Sequence, residues 1–314
     1  MAKTAAVKAS KKPLKKRIWD QRYLFLLMVP AIIWVAVICY APMTGLYMAF
    51  TNYAPSTKGY FHDLLSAPFV GLEWFQYFFE NDFKMIMRNT MATSLLTLLF
   101  SFPAPIIIAI LLNEVRSTKA KKFVQTASYL PYFISWVIVS YMLQGILGTE
   151  TGLLNNLMGT RINYYSTPGY WYPILLILNI WKNTGYNTIV YLAAITGIDE
   201  GLYEAAYIDG ATRFKRIIYI TIPLLAPTIC IMTLMSVGRI FYGDFGMLYA
   251  IIRDNSSLMP IAEVIDTYVY RTFKNTGDPS LSMAIGLYQS IVGFILVFTA
   301  NWIVRRKFPD GALF

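Results

Sequence analysis

One histidine, His62, and two cysteines, Cys39 and Cys230, leave little metal or thiol chemistry in 314 residues. Both cysteines lie in long apolar runs, so neither a disulfide framework nor a thiolate metal site is expected. No G-x-x-x-x-G-K-[ST] pattern occurs, so the chain should carry no phosphate loop of its own. The residues that stand out are polar ones in apolar surroundings. Asn179, Lys182, Asn183, Tyr186 and Asn187 recur at helical spacing, which places all five on one helix face. Arg239 and Tyr242 share a face three residues apart, while Asp244 is rotated from Arg239 by about 140° and need not pair with it. Charged side chains inside apolar spans are costly and mark functional sites by default, which singles out Lys182, Arg239 and Asp244. Two structural readings stay open beside that one. Asparagines also act as hydrogen-bonding glue between membrane helices, and Lys182 or Arg239 could form a structural ion pair with Asp244, the one acid inside the spans.

The elements that must hold these residues follow from composition. Apolar residues make up 56% of the chain and charged ones only 14%, with a mean hydropathy of +0.49. Too little polar surface remains to cover a soluble globule, so an all-α integral membrane protein is expected. Stretches able to cross about 30 Å of hydrocarbon fall at 23–50, 88–112, 128–148, 171–196, 224–250 and 281–304. Six spans place both termini on one side. That side carries the basic tail up to Arg22, then Arg116, Lys119, Lys121 and Lys122, then Arg213, Lys215 and Arg216, and finally Arg305, Arg306 and Lys307. The excess of positive charge makes it cytoplasmic. The net charge of +10 flanks the spans in this way and forms no stripe with stacking aromatics, so no nucleic-acid partner is expected.

The expected organisation is a basic cytoplasmic tail over 1–22, a six-helix membrane domain over 23–304 and a cytoplasmic tail over 305–314. The first span is too long for a signal-peptide core and is treated as retained. The basic tail should lie against anionic headgroups, making membrane lipid a partner. Pro30, Pro42, Pro103 and Pro105 should kink their helices. The aromatic segment 51–87 suits a headgroup-level belt better than a binding platform, and segment 253–280, with charges alternating in sign, reads either as a solvated outer surface or as a contact with a partner protein, the former slightly preferred.

Between the fourth and fifth spans, residues 197–223 read as two short helices broken at Asp209-Gly210, where glycine can take a positive φ. Pro223 should then open the fifth span. Ala205 and Ala206 keep the surface low, Glu204 offers one charge, and Ile208, Phe214 and Ile217 offer apolar anchors to a partner.

Glu204-Ala205-Ala206, then Asp209-Gly210, Ile220 and Pro223 at their spacing resemble the EAA loop of binding-protein-dependent ABC importer permeases. The chain is similar to the maltose-type sugar permeases, and Gln125 to Val137 resembles the LplB-like subgroup of oligosaccharide and polysaccharide permeases. Gly71-Leu72-Glu73-Trp74-Phe75, Arg88-Asn89-Thr90, Gly152-Leu153-Leu154-Asn155 and Gly243-Asp244-Phe245-Gly246 extend the likeness along the chain. The resemblance implies the type I ABC importer permease fold, with cytoplasmic coupling helices that dock a separate ATPase, Glu204 meeting a basic group and Gly210 making the bend. It implies no cofactor in this chain, with Mg-ATP held by the partner ATPase, and no catalysis here. The implied partners are a second homologous permease, two ATPase copies, an extracellular solute-binding protein and an oligosaccharide, in a prokaryotic plasma membrane. Asn183, Asn187, Tyr186, Trp181 and Tyr242 offer the amides and aromatic faces that a sugar needs, and Lys182 and Arg239 against Asp244 would suit a uronate. The competing reading is an ion-coupled secondary carrier of sugars with Asp244 as its coupling acid. A membrane enzyme finds no paired acid and base or metal cluster to use.

Overall fold

The computed structural model describes residues 19–307 and 311–312. Most of the basic tail, through Arg17, and parts of the C-terminal tail lie outside the described residues. All the regular secondary structure of the described residues is helical, apart from an isolated bridge between Thr51 and Phe69. We number the helices α1 (Arg22–Phe50), α2 (Tyr60–Ser66), α3 (Glu73–Asn81), α4 (Phe83–Glu114), α5 (Thr118–Phe133), α6 (Trp136–Leu147), α7 (Leu153–Met158) and α8 (Trp171–Thr196). They continue with α9 (Glu200–Ile208), α10 (Arg213–Val237), α11 (Phe245–Ile252), α12 (Met259–Ala262), α13 (Ile265–Thr276) and α14 (Pro279–Lys307).

Helices α1, α4, α10 and α14 are each long and apolar enough to cross a membrane. The expected third span, 128–148, is not one helix. Helices α5 and α6 meet there at 97°, and only as a bent pair do they make a fifth crossing. Helix α8 has 26 residues, about 39 Å at about 1.5 Å per residue, so its length suffices. It falls short in apolarity because it carries Asn179, Lys182, Asn183 and Asn187. The expected fifth span, 224–250, is also corrected: α10 stops at Val237, a turn follows, and α11 starts at Phe245. Pro223 does not open that helix, which starts at Arg213 and passes through it after a π-helical turn at Ile217–Thr221.

Helix α8 is the central post. Its buried residues include Trp171, Leu175, Asn179, Lys182, Gly185, Thr188 and Tyr191. It packs so closely on α5 that a Cβ on Gly185 would overlap the Ser128 carbonyl. Against α4, Thr188 Oγ1 donates to Pro105 O at 3.4 Å. One core cluster joins the ends of α4, α8 and α10 through Ala109, Tyr191, Leu192, Ile195 and Leu225. At the other end, Trp171, Leu143, Leu147, Leu248 and Ile252 gather α6, α8 and α11, and Phe78, Ile86, Ile265 and Ile285 gather α3, α4, α13 and α14. The connections at that end knit together. Asn89 Nδ2 donates to Pro260 O and Glu263 O at 3.1 Å each, and Asn255 Nδ2 to Tyr165 O at 2.8 Å. A buried ion pair, Arg271 to Glu263 at 2.7 Å, closes the same region. Helix α1 stands apart, with no buried residue between Arg22 and Val35.

Candidate functional site

Two places gather the residues singled out in the sequence. The first is the elbow between α8 and α10. Asp199 caps α9, its Oδ1 accepting from Gly201 N at 3.0 Å, an N-cap that satisfies a donor of the first turn. At the other end Gly210 takes φ +74°. Its N–H donates to Tyr207 O at 3.1 Å, and the Ala211 N–H donates to Ala206 O at 2.9 Å. Those two bonds make a Schellman motif, which stops a helix and needs a left-handed residue at this position. Thr212 Oγ1 then accepts from Lys215 N at 3.4 Å to start α10. The break expected at Asp209-Gly210 therefore has a defined geometry. The Tyr203 hydroxyl, 2.9 Å from Thr221 Oγ1, ties α9 to α10.

No residue of α9 is buried. Glu204 is exposed and lines a groove of about 490 Å³ with Glu200, Tyr203, Tyr207, Ile208 and Arg216. Among the described residues Glu204 has no salt-bridge partner. Ala205 and Asp209 are exposed, Ala206 and Ile220 are partly buried, and Pro223 is exposed. Ile208 at 83% and Phe214 at 71% exposure present apolar surface as expected, whereas Ile217 is partly buried and presents less. Tyr207 and Tyr219 join the exposed set, and their aromatic rings at the elbow gave no signal beyond helix propensity in the sequence. An adjoining groove of about 430 Å³ lined by Asn113, Glu114, Arg116, Arg213 and Arg216 places the α4–α5 connection on the same face.

The second place is the polar face of α8, which the structure divides. Asn179 and Lys182 are buried, Asn183 and Asn187 are partly buried, and Tyr186 is 42% exposed. Lys182 Nζ donates to Tyr132 O at 2.9 Å, to Pro131 O at 3.1 Å and to Ile134 O. An ammonium has three protons, so Lys182 is fully engaged at the end of α5. Tyr186 stacks on Tyr132 with ring centroids 4.0 Å apart and planes 6° apart. Among the described residues neither Asn183 nor Asn187 makes a side-chain hydrogen bond, so their amides are available to another partner.

Arg239, Tyr242 and Asp244 lie in and after the turn that ends α10, not on a continuous helix. Arg239 and Tyr242 are exposed. Asp244 is the N-cap of α11, its Oδ1 accepting from Met247 N at 3.0 Å. It forms no ion pair with Lys182 or Arg239 among the described residues. An aspartate three residues before Met247, ahead of the apolar run from Phe245 to Ile252, is a helix-start signal that a single long span concealed.

The elbow thus presents an exposed carboxylate beside exposed apolar side chains, on a bundle of membrane-crossing helices. Residues 101–309 match the family described as binding-protein-dependent transport system inner membrane component. The chain belongs to that family. This permease is 38% identical to the protein LplB of Bacillus subtilis over 298 residues, 93% of this chain and 91% of that one. It is 37% identical to the polygalacturonan/rhamnogalacturonan transport system permease protein YteP of the same organism, over 97% of this chain and 94% of that one. A crystal structure of a bacterial ABC transporter involved in import of the acidic polysaccharide alginate contains a chain 35% identical, with a TM-score of 0.85, covering 94% of this chain and 99% of that chain. A second structure, of a bacterial alginate ABC transporter in complex with an alginate pentasaccharide-bound periplasmic protein, matches with a TM-score of 0.84 at 36% identity. The expected family, its LplB-like subgroup and the importer permease fold are all borne out, and the protein is a multi-pass membrane permease of an ABC import system. The carrier reading, with Asp244 as coupling acid, has no support in these relatives.

Proposed function

We propose that this permease forms half of the translocation pathway of an ATP-driven importer of oligosaccharides, with uronate-containing chains its foremost substrates. Near-full-length similarity to permeases named for polygalacturonan/rhamnogalacturonan transport and for alginate import carries the reading. The second half of the pathway comes from a homologous permease, and two copies of an ATPase subunit hold Mg-ATP. The elbow at Glu204 to Pro223 docks one ATPase on the cytoplasmic side, where both termini also lie, and an extracellular solute-binding protein delivers the sugar. On the pathway side, Asn183, Asn187 and the exposed faces of Tyr186 and Tyr242 supply hydrogen bonds and stacking surfaces, and Arg239 supplies a cation for a carboxylate. Lys182 contributes indirectly, since its protons are already committed.

The test is reconstitution with the partner permease, ATPase and binding protein in proteoliposomes. ATP hydrolysis and uptake should both rise with uronate oligosaccharides and respond less to neutral ones of equal length. Equal stimulation by both would remove the acidic preference. Uptake by this chain without any ATPase would overturn the importer.

A further inference from the structure

The break between α5 and α6 is held by a residue fifty positions away. Helix α5 ends in a turn that contains Pro131, and the last carbonyls of any helix lack partners within it. Here Pro131, Tyr132 and Ile134 all direct their carbonyl oxygens at Lys182 Nζ, which is buried in α8. A cation at a helix C-terminus is also favoured by the helix dipole. The aromatic rings on either side of the break flank the same ammonium, Tyr132 at 5.8 Å and Trp136 at 5.0 Å to the ring centroids, within range of a cation–π attraction. Across the break, Ser135 Oγ accepts from Ile138 N at 3.3 Å and starts α6. Both helix ends at the 97° bend are therefore satisfied, one of them by α8.

The contact is rigid on its far side as well. Gly185, one turn along α8, lies directly on the Ser128 backbone, and Tyr186 stacks flat on Tyr132. Lys182, Gly185 and Tyr186 thus clamp the end of α5 to α8. From Lys182 the helix runs to Thr196, about 21 Å at about 1.5 Å per residue, and leads through Asp199 into the elbow. A displacement of the elbow carried along α8 reaches the bend through this clamp.

We propose that Lys182 is a positioning residue that fixes the bent third span to α8 and passes elbow movement to the break between α5 and α6. The proposal rests on the importer reading for its transport consequence, though not for the local geometry. In Lys182→Met the Tyr132 and Ile134 carbonyls lose their donor and Pro131 O keeps only the Ile134 N–H at 3.2 Å, while the side chain keeps its length. Assembled with its partner subunits, this variant should show amide exchange at 134–139 faster by about tenfold, with α4 and α14 protected as in the wild type. Uptake should fall by about tenfold, within the range for a lost coupling contact, while basal ATP hydrolysis stays within about twofold. A purely structural role would lower both activities together through lost assembly, and that result overturns the proposal. Wild-type exchange at 134–139, or wild-type uptake, also overturns it. Should Lys182→Met not accumulate, Lys182→Gln keeps two donors and is measured in the same way, with the same results supporting or overturning the proposal. Exchange needs no substrate, so a wild-type complex that moves no oligosaccharide would refute the proposed function and leave the clamp to be judged by exchange alone.

Discussion

Gly210 isolates backbone conformation from every other influence at the elbow. Its φ of +74° is the position that closes the Schellman motif, and an added Cβ would meet nothing within 4 Å. Gly210→Ala therefore introduces no clash, and its cost is that of holding an L-residue in the left-handed region, about 1–2 kcal/mol. If the ATPase binds only the bent elbow, that cost appears as a loss of docking affinity of about 5- to 30-fold. The assay is binding of purified ATPase to the permease pair in nanodiscs, alongside Gly210→Asn. Asparagine tolerates this conformation better than alanine, so it should recover part of the loss. An alanine variant that binds within about twofold of wild type would mean the bend is not what the ATPase selects. Equal damage from alanine and asparagine would point to the added side-chain volume at the interface and refute the backbone argument.

Glu204→Lys should leave the fold intact, because the side chain is exposed, yet separate ATP hydrolysis from uptake; unchanged uptake in proteoliposomes would remove its docking role. Asn187→Leu combined with Tyr242→Ala should lower oligosaccharide uptake while ATPase assembly, followed by co-purification, stays normal. Full uptake would move the sugar path elsewhere. Glu263→Ala leaves Arg271 buried without its 2.7 Å partner, and breaking such a pair typically costs about 3–5 kcal/mol. Its thermal unfolding in detergent should therefore shift clearly downward, and an unchanged midpoint would show that Asp254 and the Arg253 carbonyl suffice.

The elbow was legible because its signals are local. An N-cap aspartate, good helix formers, Asp-Gly and a capping threonine sit within fourteen residues, and each acts on its immediate neighbours. The bend in the third span was not legible in the same way. Pro131 and Ser135 lie four apart in an apolar run, a stop followed by a start, but proline is tolerated inside membrane helices when neighbours satisfy the freed groups. The carbonyls at the turn are met by Lys182 arriving from α8, which no local window contains. The same limit governed Lys182 itself. Spacing placed it correctly on a polar face with Asn179 and Tyr186, but could not tell a cation facing a pathway from one consumed by carbonyls of a neighbouring helix.

Prolines show how such packing is built into the long spans. The π-helical turns at Ala36–Tyr40, Thr97–Ser101 and Ile217–Thr221 each end two residues before a proline, at Pro42, Pro103 and Pro223. A proline ring displaces the carbonyl four residues back, and a wider turn just ahead of it lets that carbonyl swing aside without ending the helix. The helices therefore pass through these prolines instead of starting at them, which is why Pro223 lies within α10. Pro30 and Pro131 have no such turn ahead of them, and α5 ends two residues after Pro131, against Lys182. Helix α8 contributes the opposite compromise. It keeps its 26 residues unbroken but gives up apolarity to carry three asparagines and the lysine that meets the end of α5. For that reason the long helix that falls short of a fully apolar span is the one that joins the bend to the elbow.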